Sequence, residues 1–171
     1  MAGWLLIALI GTTGWLNAEA PPCQSTLCEN ISAGSFSGLR WPDFSNHRTA
    51  VESFYAPKQY AYSWTDHGNA TSQARALIAT LQAAETKGLN PEDYDASRWS
   101  ARLSALGLTA PPGPRDAFDL ALTVSVMRYV SDLHFGRLNP GRGNTGLFHH
   151  PDADERLNLA EFVRRNLVNA P

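Results

Sequence analysis

The chain carries no charge imbalance of consequence. Its formal net charge is −2 and no basic stripe occurs along it. A nucleic-acid partner needs clustered Lys and Arg as an electrostatic footprint, so that class of partner is excluded. Cysteine is scarce: Cys23 and Cys28 are the only two. Without other ligands close by, they do not make a metal site. Two readings stand for them, a small loop closed by a disulfide in an oxidising compartment and a pair of free thiols. No apolar run reaches the roughly 20 residues that a membrane-spanning helix requires. No segment recurs at a fixed period, which excludes repeat architectures.

What is there is ordinary for a globular protein. Of the 171 residues, 43% are apolar and 18% charged, enough for one domain with its own core and against disorder. Trp4 to Leu16 is apolar, broken only by Gly and Thr, and Ala18-Glu19-Ala20 follows as a small-x-small pattern. Length and position fit a signal-peptide core. No Lys or Arg precedes the run, and Pro21 stands just after the expected cut. Residues 1–20 are therefore read as a signal peptide or an uncleaved N-terminal anchor, and the chain as exported.

Residues 21–40 are rich in Pro, Ser and Gly and read as a flexible linker. A helix is expected from Pro42-Asp43 to Tyr55, stopped by Pro57. Tyr60, Tyr62 and Trp64 alternate with small residues, the period of a strand, and Asp66-His67-Gly68 reads as a turn. Thr71 to Lys87 is the clearest amphipathic helix, capped by Thr71 or Ser72 and ended by Gly88. Asn90-Pro91-Glu92-Asp93 announces another helical start; that helix, or a second one after a break near Tyr94-Asp95, is expected to run to about Leu106 with Trp99, Leu103 and Leu106 facing inward. Arg115 to His134 is apolar around most of its circumference and reads as a central helix. Asp116, Asp119, Arg128 and Asp132 interrupt it and exclude a membrane span. A last amphipathic helix starts at Asp152 or Asp154. The fold class is mainly α: a compact helical domain of about five helices over residues 41–171, with a short aromatic β segment.

Three motifs follow in order. Phe54-Tyr55-Ala56-Pro57-Lys58-Gln59-Tyr60-Ala61-Tyr62-Ser63-Trp64 runs into Thr65-Asp66-His67-Gly68. Gly88-Leu89-Asn90-Pro91-Glu92-Asp93-Tyr94 comes next. Tyr129-Val130-Ser131-Asp132-Leu133-His134-Phe135-Gly136-Arg137-Leu138-Asn139-Pro140 closes the set. Over about residues 41–170 the chain resembles the N-terminal scaffold domain of the bacterial murein L,D-transpeptidases, enzymes that cross-link peptidoglycan. The resemblance implies a non-catalytic domain in the periplasm or cell envelope. It also implies a catalytic domain, in cis or in trans, beyond Pro171, and peptidoglycan as the common substrate.

The family's chemistry needs a cysteine nucleophile in a Ser-His-Gly-Cys-type motif, with a histidine and backbone oxyanion donors. Cys23 and Cys28 have no such neighbours, so no catalytic residue is assigned and no cofactor is expected. His134, His149, His150 and Asp152 form no ligand spacing and read as solvated loop residues. Asp66 and His67 lack a nucleophile. Arg137 reads as a partner for a helix end or for Asp132. Tyr60, Tyr62 and Trp64 are the candidate substrate-binding residues, because sugar rings stack on aromatic faces. The competing role for them is to staple the first helix to the core. The alternative function is a stand-alone peptidoglycan-binding envelope module built on that aromatic segment.

Overall fold

The computed structural model describes residues 25–109, 111–136 and 158–168. Within them the fold is mainly helical, as the periodicities require. The described residues hold six α-helices, α1 (Thr26–Ala33), α2 (Arg48–Tyr55), α3 (Ser72–Gln82), α4 (Trp99–Ser104), α5 (Pro112–Phe135) and α6 (Leu159–Val163), together with several short 3-10 turns, a π-helical turn over Arg164–Val168 and one two-stranded hairpin.

α5 is the axis of the molecule. Every residue from Phe118 to Met127 is buried, and α1, α3, α4 and α6 all pack against it. α2 lies on α1 and α6 and buries Val51, Phe54 and Tyr55, the i, i+3, i+4 positions of one face. α3 starts where its cap was expected, the Thr71 hydroxyl accepting from the Ala74 N–H at 3.1 Å. A 3-10 turn over Ala84–Lys87 extends it to Gly88, whose φ of 73° ends the run. Asn90 and Pro91 open a single 3-10 turn, not an α-helix. Asp95, left-handed at φ 63°, breaks the chain before α4.

Two expectations are corrected. Residues 25–40 are not a flexible linker. Ser25 caps α1 by accepting from the Cys28 N–H, and Leu27, Ile31 and Leu39 lie fully inside the core. Their i, i+4 and loop spacing was hidden by Ser- and Gly-rich composition. Tyr60 to Trp64 is not a strand either. Gln59 and Tyr60 have φ of 52° and 60°, so the chain reverses there instead of extending. The β structure comes later, as β1 (Thr65–Asp66) paired antiparallel with β2 (Asn69–Ala70). The expected turn is right: His67 and Gly68 connect the strands with φ of 46° and 79°, the two positive values of a type I′ hairpin.

The apolar N-terminal run, Cys23, Arg137, His149, His150 and Asp152 lie outside the described residues. Cys28 is disulfide-bonded. Among the described residues no helix is long and apolar enough to cross a membrane, and no group of three ligating side chains could hold a metal.

Candidate functional site

The four charged residues that interrupt α5 organise its surroundings. Positions 119 and 128 are nine residues apart, half a turn off in phase on a helix of 3.6 residues per turn, so they point to opposite sides. Each side holds a different segment of chain.

On one side, Asp119 is fully buried. It accepts from the Tyr55 hydroxyl at 2.7 Å, the Trp64 N–H at 2.8 Å and the Ser63 N–H at 3.1 Å. One turn on, Thr123 meets the Tyr55 hydroxyl at 2.7 Å and accepts from the Trp64 indole N–H at 2.8 Å. One turn back, Asp116 accepts from the Tyr62 hydroxyl at 2.6 Å. Burial pushes the Asp119 carboxyl up to about 6, outweighing the donors that favour its charge. Burial, then the neighbouring Asp119 charge, pushes the Tyr55 hydroxyl well above its usual range. Burial and the bond to Asp116 push Tyr62 up to about 12. These tyrosines are neutral donors at any physiological pH.

The aromatic candidates therefore separate. Trp64 is completely enclosed, with its ring stacked on Phe54 at 6.1 Å between centroids. Its packing role accounts for every polar atom it has. Tyr60 and Tyr62 are half-buried, and their hydroxyls are held by Glu52 and Asp116. The three do not share one face of a strand, because no strand is there.

On the other side, Arg128 donates to the carbonyls of Trp41 and Asp43 at 2.9 and 2.7 Å. Nearby Asp132 accepts from the Tyr94 hydroxyl at 2.7 Å. Asp95, also fully buried, accepts from the Arg40 N–H at 2.8 Å and from Arg102 at 2.6 Å. Arg102 stacks on Trp99 at 4.6 Å and reaches the Gly38 carbonyl at 2.8 Å. The loop over residues 38–43 is thus fixed from both α4 and α5. It carries Trp41, the one large aromatic side chain of the described residues that is more than half exposed.

Sequence reasoning passed over Asp119, Thr123 and Asp95. The available signal for Asp119 was a carboxylate in the middle of a helix that is apolar around most of its circumference, since a buried charge demands donors from elsewhere in the chain. Asp66 and His67 stay at the exposed hairpin tip, 3.6 Å apart. His134 lies exposed at the end of α5.

A family model described as a scaffold domain matches residues 49–169. No curated protein and no solved structure shows a significant match to the chain. The matched span takes in α2, the aromatic segment and α5, the parts that Asp116, Asp119 and Thr123 bind together.

Proposed function

The chain belongs to the scaffold-domain family, and on that premise we propose that it is the non-catalytic scaffold of an L,D-transpeptidase-like cell-envelope protein. The family match over residues 49–169 is the observation that supports the scaffold role. The order of the three sequence motifs supports the finer attribution. The scaffold holds a cysteine-nucleophile catalytic domain, supplied in cis or in trans, against peptidoglycan in the periplasm. A domain with this role needs a fixed shape more than reactive groups. The bonding around Asp119 and Asp95 fits that need, since it consumes donors and acceptors to lock loops onto α5 and α4.

The reading is tested by purifying the chain with an L,D-transpeptidase catalytic domain of the same envelope. Measured cross-linking of isolated peptidoglycan should rise when the chain is present. A catalytic domain that neither binds the chain nor changes activity with it would retire the proposal. A second reading, a stand-alone peptidoglycan-binding module, is favoured by the exposed indole of Trp41.

A further inference from the structure

We propose that the corner of the fold around Trp41 is a saccharide-stacking site that takes a chain of acetylated aminosugars across the indole face. The choice of polymer rests on the cell-envelope reading above; the site itself rests on the geometry of the corner.

Trp buries more area than any other side chain and is normally used for that. Trp64 and Trp99 obey, both completely buried, whereas Trp41 is 54% exposed. This exposure is not that of a loose loop. The Trp41 indole N–H donates to Asp93 at 3.2 Å, and its carbonyl accepts from Arg128 at 2.9 Å. The preceding Arg40 N–H is tied to buried Asp95 at 2.8 Å. The following Pro42 accepts from the Phe36 N–H at 2.9 Å, and Ser35 bridges to Asp43. The ring is held before any ligand arrives, so little ordering is left for binding to oppose.

The surroundings decide the ligand class. The Arg40 guanidinium lies over one face of the indole, 5.8 Å from the ring centroid, and pairs with Glu92 at 3.2 Å, so a sugar stacks on the other face or slides in beside it. Asp93 sits at the N–H edge of the ring, and exposed Arg98 holds the same loop at the Gly38 carbonyl. The other exposed large apolar residues, Leu108, Leu133 and Phe162, belong to other segments. A protein interface gathers several apolar residues around its aromatic anchor. A pyranose needs one flat apolar platform for its C–H face, with carboxylate acceptors and guanidinium donors at the rim for hydroxyl and acetamido groups. The Trp41 corner has the second composition.

Chitotetraose is the probe, titrated into the isotope-labelled chain while the indole N–H resonances are followed. The Trp41 resonance is assigned by its absence in Trp41→Phe. It should shift and saturate, with the resonances of the enclosed Trp64 and Trp99 unmoved. Trp41→Ala should weaken binding by about tenfold or more and Trp41→Phe by clearly less, both with near-native melting because the ring is exposed. A folded chain whose Trp41 resonance ignores the sugar, or a Trp41→Ala variant that binds as well as wild type, overturns the proposal. A Trp41 resonance that moves with the catalytic domain and not with sugar makes the corner a protein interface; the saccharide site then falls and the scaffold reading stands. Sugar binding without any effect of the chain on catalysis leaves this site in place and removes the scaffold reading.

Discussion

At the scale of single residues, Asp119 carries two opposed effects. Its charge is costly where it sits, because burial raises its folded pKa from 3.8 to about 6. Its absence is costly too, because Ser63 and Trp64 would keep buried N–H groups with no acceptor. Asp119→Ala is therefore expected to lose about 3 kcal/mol, the sum of two or three orphaned donors. Urea unfolding measures it; a loss well under about 1 kcal/mol would mean the aromatic segment is held by packing alone. The pH dependence follows from the direction of the shift. The folded state binds the proton more tightly than the unfolded chain, so the Asp119 contribution is fully present below 3.8 and is lost as pH rises through about 6. A gap of about two pKa units corresponds to about 3 kcal/mol. The stability of wild type relative to Asp119→Asn should accordingly fall between about pH 4 and about pH 7, and a difference independent of pH would contradict the assignment.

At the scale of elements, the hairpin that follows the aromatic segment depends on one glycine. Gly68 has φ of 79°, and a Cβ there would stand 2.5 Å from the Gly107 carbonyl oxygen, a backbone atom that cannot swing away. Arg115 holds that same carbonyl at 3.0 Å. Gly68→Ala should cost about 2 kcal/mol or more, from backbone strain and steric overlap together. Gly88→Ala is the contrast: the φ is similar at 73° but nothing lies within 4 Å, so only the smaller strain cost is expected. Thermal melts of the two variants should rank in that order, and equal melting would show that the turn yields without loss. The same elements show what a sequence makes legible. The run from Thr71 to Gly88 could be read because its cap, its apolar stripe and its terminating glycine are all local, although α3 stops at Gln82 and the last turn, Ala84–Lys87, is 3-10. α5 could be read because its apolar residues leave no other place for it than the interior. The segment over Tyr60 to Trp64 could not. Its alternation is that of a strand, but the partners that decide its conformation are Asp116, Asp119 and Thr123, more than fifty residues on. Trp41 gave no signal at all, since whether a Trp is covered is settled only when distant loops close.

At the scale of the whole molecule, the boundary of the folding unit lies before the boundary of the family match. The match begins at residue 49, yet α1 and the loop after it place Leu27, Ile31, Leu39 and Phe44 fully inside the core. α1 also touches both α2 and α5. Burying each large apolar side chain contributes about 1.5–3 kcal/mol. Four of them together rival the 5–15 kcal/mol that separates a typical domain from its unfolded state. The loop further supplies the Gly38 carbonyl and the Arg40 N–H that satisfy Arg102 and Asp95. Without it the buried Asp95–Arg102 pair loses partners in a place where water does not replace them. A chain cut to residues 49–171 should therefore lack a cooperative thermal transition and give collapsed amide spectra. A chain starting at residue 25 should melt cooperatively, lowered only by whatever the Cys28 disulfide contributes. A sharp, native-like transition in the shorter chain would place α1 outside the folding unit, and residues 25–40 would then be a linker in energy even though they are helical in form.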